Sequence, residues 1–358
     1  MSSWRHCPTT TFCIAVGPDI VPRILFVNPN HEDYLGDGVF HGLRTLLGTD
    51  AVDYPKAEFL YDTASPGLLA RVRGGGFTLY GLLPDLPVDR DHILPRALDG
   101  EFDLVIFGDI WRTFGLWTEW GPQLRAAGVA MAVLDGSDRV EPYPYAGLWW
   151  RVPSWWFLPR AHNRAPYFKR EITPLTRWFA SYLMLPPRIG RRLDLRTISF
   201  SIPAERIAEE PPAKDKDFPR HIVDAEVAAR VGGQTSYAFT NESEYRADLA
   251  RSRFGITTKR EGWDALRHYE IAASGTVPCF RDLDKKPPTC APFGLNDANC
   301  ITYHDADELA AHVTALDDAG YAALQAGALE WARANTTTVR ARELLDACGV
   351  RIAAGEPR

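Results

Sequence analysis

The segment KREGWDALRHYE, residues 259–270, combines cations, a glycine and a carboxylate in an order that suits a phosphorylated ligand. Lys259 and Arg260 follow an apolar run that predicts a buried strand. In open α/β sheets, phosphates bind at such strand ends, where the next helix presents free N–H groups. Gly262 adds a position at which the backbone can approach a ligand closely. The segment therefore indicates a diphosphate site.

Arg267 and Glu270 lie three residues apart, so both can face the same side of the helix that follows. A carboxylate in this position can accept hydrogen bonds from both hydroxyls of a ribose. The spacing alone leaves another interpretation open, in which the cations are solvated and Arg267 forms a plain salt bridge with Glu270.

The composition describes an ordinary globular chain and limits its partners. The chain has 358 residues, which favours two domains, and a net charge of -6. That charge argues against general affinity for nucleic acids or anionic membranes, although a nucleic-acid acceptor stays possible. No run approaches the roughly 18 apolar residues that span a bilayer. The six cysteines lack CxxC pairing, so we expect reduced thiols in a cytoplasmic protein.

Apolar strands alternate with helical patterns in both halves of the chain, which predicts parallel sheets covered on both faces. The predicted strands are 23–27, 102–107, 129–134, a short one within 166–172, 236–239, 254–258, 276–280 and 300–303. The predicted helices are 39–47, 117–127, 241–251, 264–274, 305–316, 319–334 and 336–348. Few elements are predicted within 141–215, which is rich in Trp and Pro.

Several motifs in the second half resemble the GT-B glycosyltransferases of the "group 1" and spore-maturation type. In that family a glutamate and glycine follow a strand, a helix carries a second glutamate, and a small residue, Gly, Thr/Ala and Pro come next. The matching residues are Glu261-Gly262, Glu270, Ala273, Gly275-Thr276 and Pro278, with further likeness in 301–309 and 329–342. The resemblance covers residues 213–348 well and residues 22–140 in general layout.

The resemblance implies two Rossmann-like, doubly wound parallel-sheet domains, the GT-B fold. The implied activity is metal-independent transfer of a sugar from a nucleoside-diphosphate sugar to a hydroxyl or amine, with no cofactor beyond the donor. Glu270 would hold the ribose, and Lys259 and Arg260, helped by Arg267, would face the diphosphate. The donor site would also include Gly262, Gly275 and Thr276. The two glutamates are nine residues apart rather than the family's eight, so Glu270 is preferred over Glu261.

The domains predicted on this basis follow the composition of the chain. Residues 1–21 form an extension, and 22–212 an acceptor-side domain with an irregular Trp/Pro-rich insertion. Residues 213–335 form the nucleotide-sugar domain, and 336–358 a C-terminal helix and tail. The charged, Pro-rich stretch 209–217 marks the boundary between the domains.

A transfer that inverts the sugar needs a base to deprotonate the acceptor. The candidates are His31, Asp37 and Asp109, with Asp135 as a further strand-end carboxylate. The intrinsic pKa of histidine suits this task. Each candidate has a simpler interpretation as a turn residue.

Three other patterns have weaker implications. Gly36-Asp-Gly38 with Gly42 resembles a dinucleotide fingerprint but lies nine residues beyond its strand, so a loop on the acceptor side is predicted. Asp282-Leu-Asp284 resembles a two-carboxylate metal motif, yet Lys285 and Lys286 would compete with a cation, and a loop without metal is predicted. The pairs Trp149-Trp150 and Trp155-Trp156 could stack on sugars or pack in a core.

Two alternatives to a transferase stay open at this point. A non-catalytic protein of the same fold would bind a nucleotide-sugar without turnover. A nucleotide-sugar epimerase on the same scaffold would need a dense set of acids around the sugar rather than an open acceptor face. The sequence does not predict the oligomeric state.

Overall fold

The computed structural model describes residues 21–143, 162, 164–181, 193–236 and 239–352. The strands of the first sheet are β1 Ile24–Val27, β2 Ala51–Tyr54, β3 Leu104–Phe107, β4 Met131–Asp135, β5 Pro166–Lys169 and β6 Asp194–Thr197. They are parallel and lie in the order β2-β1-β3-β4-β5-β6. The chain order reverses between β1 and β3, and the carboxyl ends of such strands border a crevice where ligands bind.

A second parallel sheet contains β7 Phe254–Thr258, β8 Val277–Arg281 and β9 Ile301–Tyr303, in that order. Its strands carry consecutive apolar residues because helices cover a parallel sheet on both faces. The predicted α/β class with two parallel sheets is confirmed.

The helices complete the alternation predicted from the sequence. Their bounds are α1 Tyr34–Leu47, α2 Pro66–Leu69, α3 Ile93–Leu98, α4 Ile110–Ala126, α5 Pro174–Ser181, α6 Ala225–Val231, α7 Glu242–Ala250, α8 Leu266–Ala273, α9 Ala306–Ala315, α10 Asp318–Ala334 and α11 Thr337–Ala347. Asn241 caps α7 and Asp305 caps α9 through their side chains. Gly275 follows α8 with φ 61°, a left-handed conformation that glycine adopts without strain.

The acceptor-side loop predicted at Gly36-Asp-Gly38 is wrong, because these residues lie inside α1. The side chain of Asp33 accepts a hydrogen bond from Gly36 N and starts the helix five residues before the predicted position. Glycine disfavours helix, but here close packing requires it. A Cβ atom on Gly42 would lie 2.0 Å from the carbonyl oxygen of Thr337 in α11.

Other elements differ from prediction at their ends or were missed. Helix α4 begins seven residues before the predicted Trp117, where Asp109 accepts a hydrogen bond from Trp111 N. Strands β2 and β6 were not predicted. Only residues 236 and 239 of the predicted strand 236–239 are described, and both tryptophan pairs lie outside the described residues, as do residues 1–20.

Two apolar clusters fill the faces of the first sheet. Ile24 and Phe26 point to one side, where α1, α8, α10 and α11 pack, whereas Leu25 and Val27 point to the side covered by α3 and α4. Helix α11 therefore returns to the first domain after the second sheet is complete. Within the described residues, no helix has the length and apolar character of a membrane span.

Candidate functional site

Two adjoining cavities lie where the strand ends of the first domain meet the loop after β7. The larger has a volume of about 760 Å³ and the smaller about 390 Å³. Both are lined by Tyr34, Arg260, Ala265 and Leu266, so the cavities share a border. This position matches the crevice expected at the reversal of strand order.

The larger cavity is walled by both domains. From the first domain come loops after β1, β3, β4 and β5, and from the second comes the loop after β7. Its charged lining residues are His31, Glu32, Asp33, Asp109, Arg112, Asp138, Arg139, Arg170, Arg260, Glu261 and Asp264. The lining of the larger cavity thus contains both carboxylates and guanidinium groups.

Arg260 is the predicted diphosphate residue that reaches both cavities. Its side chain is exposed, and within the described part of the chain its guanidinium group pairs with no carboxylate. Lys259 instead folds back, with Nζ donating to the carbonyl oxygens of Arg260 and Glu261, and does not line either cavity. Arg260 is therefore the cation best placed for an anionic ligand.

Gly262 lines the larger cavity and is needed for a close approach between the domains. A Cβ atom there would lie 2.5 Å from Asp138 Oδ1 and 2.7 Å from Glu171 Oε1. The glycine thus permits contact with carboxylates of the first domain.

Glu270 and Arg267 line the smaller cavity. Each carboxylate oxygen of Glu270 already accepts one hydrogen bond, from Thr78 Oγ1 at 2.5 Å and from Tyr245 OH at 2.7 Å. Because a carboxylate oxygen has two lone pairs, each can accept a second bond. The guanidinium group of Arg267 lies 6.0 Å from the ring centre of Tyr245.

Gly275 and Thr276 lie away from both cavities. Gly275 ends α8, and a Cβ atom there would meet Pro212 at 2.6 Å. Thr276 is buried, and its hydroxyl donates to the carbonyl oxygens of Leu249 and Ser252. Both residues therefore pack behind the site and do not line it.

Two of the three predicted bases face the larger cavity. His31 is exposed, with Nδ1 3.0 Å from the carboxylate of Glu32. Asp109 caps α4 with φ 37°, and 11% of its side chain is exposed. Asp37 does not line the cavity, because it is only 1% exposed and accepts hydrogen bonds from Asp33 N and Tyr80 OH.

Asp109 and Asp135 have different surroundings, which shift the pKa values of their carboxyl groups in opposite directions. Burial, followed by the negative charge of Asp33, raises the pKa of Asp109 to about 6, although Arg112 at 3.2 Å opposes the shift. Burial would also raise the pKa of Asp135, but the ammonium group of Lys169 at 3.0 Å and neighbouring hydrogen bonds lower it. The pKa of Asp109 is therefore raised, whereas that of Asp135 is lowered.

Sequence reasoning missed the residues that tie the domains together. The guanidinium group of Arg170 donates to Asp138 Oδ1 at 2.7 Å and to the carbonyl oxygen of Asp264 at 3.0 Å. Glu171 Oε1 accepts from the backbone N–H groups of Trp263 and Asp264. The available signal was an Arg-Glu pair within 166–172, the stretch predicted to contain a short strand. Asp33 was equally detectable as an Asp before a helix.

Asp282, Asp284 and His304 lie close enough to share a metal ion. However, Asp282 Oδ1 already accepts from Lys285 Nζ at 2.7 Å, and His304 Nδ1 lies 2.8 Å away. These residues sit at the ends of β8 and β9 and line neither cavity. They are separate from the site described above.

Comparison with known proteins identifies the fold. No model of a known protein family matches the chain, and no curated protein matches it. Among solved structures, a glycosyltransferase from Rickettsia africae has a TM-score of 0.52 at 8% identity, covering 91% of this chain and 97% of that one. HepE from Anabaena, in complex with UDP, has a TM-score of 0.50 at 9% identity, covering 91% and 99%. This chain has the GT-B fold.

The N-terminal domain of a trehalose-6-phosphate phosphatase from Candida albicans is also similar, with a TM-score of 0.51 at 10% identity over 95% of this chain and 98% of that one. At such identities the likeness concerns the fold alone. Within the GT-B fold of this chain, both cavities lie between the two domains.

Proposed function

We propose that the chain is a glycosyltransferase that moves a sugar from a nucleoside-diphosphate sugar to a hydroxyl or amine. The observation that carries the proposal is the placement of Arg260 at the border of two cavities, with Glu270 in the smaller one. The smaller cavity would take the nucleoside, and Arg260 the diphosphate. The larger would take the sugar and the acceptor.

Each role follows from the contacts of the residue. Glu270 retains free lone pairs for two ribose hydroxyls, and Arg267 lies on the same helix face. Arg260 would stabilise the charge that develops on the departing diphosphate, as a cation in place of a metal ion. Asp109 is the proposed base, with His31 as the second candidate on the same cavity wall.

Further support comes from the family motifs and from similar structures. HepE was solved with UDP, which makes UDP the first probe for this chain. The described cysteines Cys279, Cys290, Cys300 and Cys348 are unpaired, which supports the proposed cytoplasmic location. The acceptor is proposed only as a hydroxyl or amine.

Thermal unfolding with a panel of nucleoside diphosphates and their sugars, with and without EDTA, tests the donor site. We expect a stabilising shift with one nucleotide that EDTA does not change, since a ligand at 100 times its Kd adds about 2.7 kcal/mol. No shift with any nucleotide would overturn the donor assignment. A shift that EDTA abolishes would overturn metal independence.

Glu270→Gln tests the ribose contact directly. A hydrogen bond to a charged group contributes about 1.5–3 kcal/mol, so the variant should bind UDP about 10–100-fold more weakly. It should also lose the preference for UDP over 2′-deoxy-UDP. The control Glu244→Gln changes an exposed glutamate in α7 and should bind as the parent does. Equal UDP affinity in Glu270→Gln would contradict the proposed role.

A nucleotide-sugar epimerase is the second candidate, because the larger cavity contains the set of acids that such an enzyme needs. Several are already engaged, since Arg170 pairs with Asp138 and Asp264, and Arg112 pairs with Asp109. Incubating the donor without acceptor distinguishes the two functions by NMR. An epimerase converts the sugar to its epimer, whereas a transferase leaves it intact or hydrolyses it slowly.

A further inference from the structure

A strained turn of the first domain, Phe77-Thr78-Leu79, lies against the second domain. Leu79 N donates to the carbonyl oxygen of Phe77 at 2.9 Å, and Thr78 between them has φ 72°. Such a γ-turn with positive φ is rare and strained, and more so at a β-branched residue. Only 3% of Thr78 is exposed. Because a strained conformation persists only where its surroundings determine it, the contacts of Thr78 must hold the turn in place.

Each polar group of Thr78 is hydrogen-bonded, and two of the three partners belong to the second domain. The backbone N–H donates to Glu242 Oε1 at 3.0 Å, and the hydroxyl donates to Glu270 Oε1 at 2.5 Å. The carbonyl oxygen accepts from Arg206 Nε at 3.2 Å, and Arg206 also pairs with Glu242 at 3.1 Å. The turn is thus fixed on three sides, with its hydroxyl directed at the carboxylate of Glu270.

The carboxylate of Glu270 is held between this turn and α7. Tyr245, three residues after Glu242 in α7, donates its hydroxyl to Glu270 Oε2 at 2.7 Å. The ring of Phe77 stacks on that of Tyr245, with 6.1 Å between the ring centres. Phe77 and Glu270 both line the smaller cavity. The turn therefore forms part of the cavity wall and also holds the carboxylate that faces the cavity.

We propose that Thr78 is a positioning residue, whose hydroxyl fixes Glu270 with its free lone pairs toward the ribose hydroxyls of the donor. The inference rests on the proposed function, and it makes donor affinity depend on a residue of the first domain. Tyr245 alone would hold one carboxylate oxygen and leave the other free to move. A glutamate side chain loses much rotational freedom when it is ordered, so a ligand binds more tightly to one that is already in place.

Thr78→Val is the critical variant, because valine keeps the size and the β-branching of threonine but lacks the hydroxyl. It should bind UDP about 2–10-fold more weakly, since UDP must then order the freed carboxylate. The affinity for 2′-deoxy-UDP should fall less, because this ligand lacks one of the hydroxyls that Glu270 would bind. Thr78→Ser keeps a hydroxyl and should recover most of the UDP affinity. Isothermal titration calorimetry measures all these affinities.

Thr63→Val is the matched control, since the hydroxyl of Thr63 also donates to a carboxylate, Asp85 Oδ2 at 2.9 Å. Thr63 lines neither cavity, so its variant should bind UDP as the parent does. A UDP affinity of Thr78→Val equal to the parent's would overturn the proposal. So would an equal loss for UDP and 2′-deoxy-UDP, because a merely structural role of Thr78 would weaken both ligands alike.

A second measurement does not depend on any ligand. Urea unfolding of Thr78→Val, Glu270→Ala and the double variant forms a double-mutant cycle, in which the two losses of stability should not add because both variants remove the same hydrogen bond. Additive losses would overturn the positioning of Glu270 by Thr78 even if UDP binding is established. Conversely, if the parent binds no UDP, non-additive losses would support this positioning while the proposed function fails.

Discussion

At the scale of single residues, two aspartates that follow neighbouring strands differ because their surroundings differ. Asp135 is fully buried and accepts from Trp111 Nε1, Tyr167 OH and Lys169 Nζ, so its charge is fixed by its partners. Asp109 follows an equally buried strand but keeps one side toward a cavity. The same residue type after two neighbouring strands is thus enclosed by hydrogen-bond partners in one case and borders a cavity in the other.

His268 is a buried histidine of the second domain, and its burial makes folding stability depend on pH. Its Nδ1 accepts from Thr257 Oγ1 at 2.8 Å, and its Nε2 donates to the carbonyl oxygen of Trp263 at 2.9 Å. Burial lowers the pKa of His268 to about 4. The unfolded chain therefore binds a proton first as the pH falls, and stability is lost below about pH 6.5.

We expect His268 to make the chain about 2 kcal/mol less stable at pH 5 than at pH 7. Urea unfolding at the two pH values measures the difference, and His268→Gln should reduce it by that amount. The control His312→Gln changes an exposed histidine and should leave the difference as it was. Burial also lowers the pKa of His162, so part of the pH dependence of stability should persist in His268→Gln. If the stability difference between pH 5 and pH 7 were as large in His268→Gln as in the parent, His268 would not be its source.

Sequence patterns singled out some of the residues that line the two cavities, but not the hydrogen bonds that hold them in place. Arg260 and Glu270 were identified by their position relative to a strand and a following glycine. The partner of Glu270, Thr78, lies 192 positions away, and no local pattern connects the two. Tyr245, the other partner, lies on a different helix. Such long-range hydrogen bonds depend on how the domains pack.

At the scale of elements, glycines set how closely α1 can approach α11. Gly42 faces the start of α11, where the carbonyl oxygen of Thr337 would be 2.0 Å from an added Cβ atom. The main chain of Thr337 is itself bonded to Ile202 O, so it cannot easily shift. Helix α1 begins beside the larger cavity at Asp33, and its packing therefore affects the site.

Gly42→Ala should destabilise the chain by about 1–3 kcal/mol or more, because the added methyl group meets a fixed backbone. Urea unfolding measures the loss. Gly115→Ala, in the exposed interior of α4 with nothing within 4 Å of its added Cβ, should instead stabilise by about 0.4–1 kcal/mol. Equal effects of the two variants would show that helix propensity, rather than packing, governs Gly42.

These elements also show where sequence patterns fail. The strands predicted correctly are apolar runs such as 254–258, whereas β6 is a polar edge strand, Asp194–Thr197, with exposed residues. In α1 the glycines concealed a helix because their low propensity is overridden by tertiary packing. Strand β2 was missed in part because Asp53 interrupts its apolar pattern and is satisfied by Arg90 and Tyr61.

At the scale of the whole molecule, the domains are joined by both polar and apolar contacts. Arg170 and Glu171 of the first domain hold the 263–264 loop of the second, next to the larger cavity. Tyr269 and Trp331 from the second half share an apolar cluster with Phe26 of β1. We therefore expect the two domains to unfold together rather than as independent units.

The last prediction concerns α11, which follows the second domain in sequence but packs on the first. Leu344 and Leu345 are buried in the cluster that includes Val39 and Leu43 of α1. Leu344→Ala should cost about 2–5 kcal/mol through lost burial and the cavity left behind. Hydrogen exchange should show faster opening in α1 and β1 as well as in α11. The control Asp346→Ala, at an exposed position of the same helix, should leave exchange unchanged. Faster exchange confined to α11 and the second sheet would mean that this helix does not stabilise the first domain.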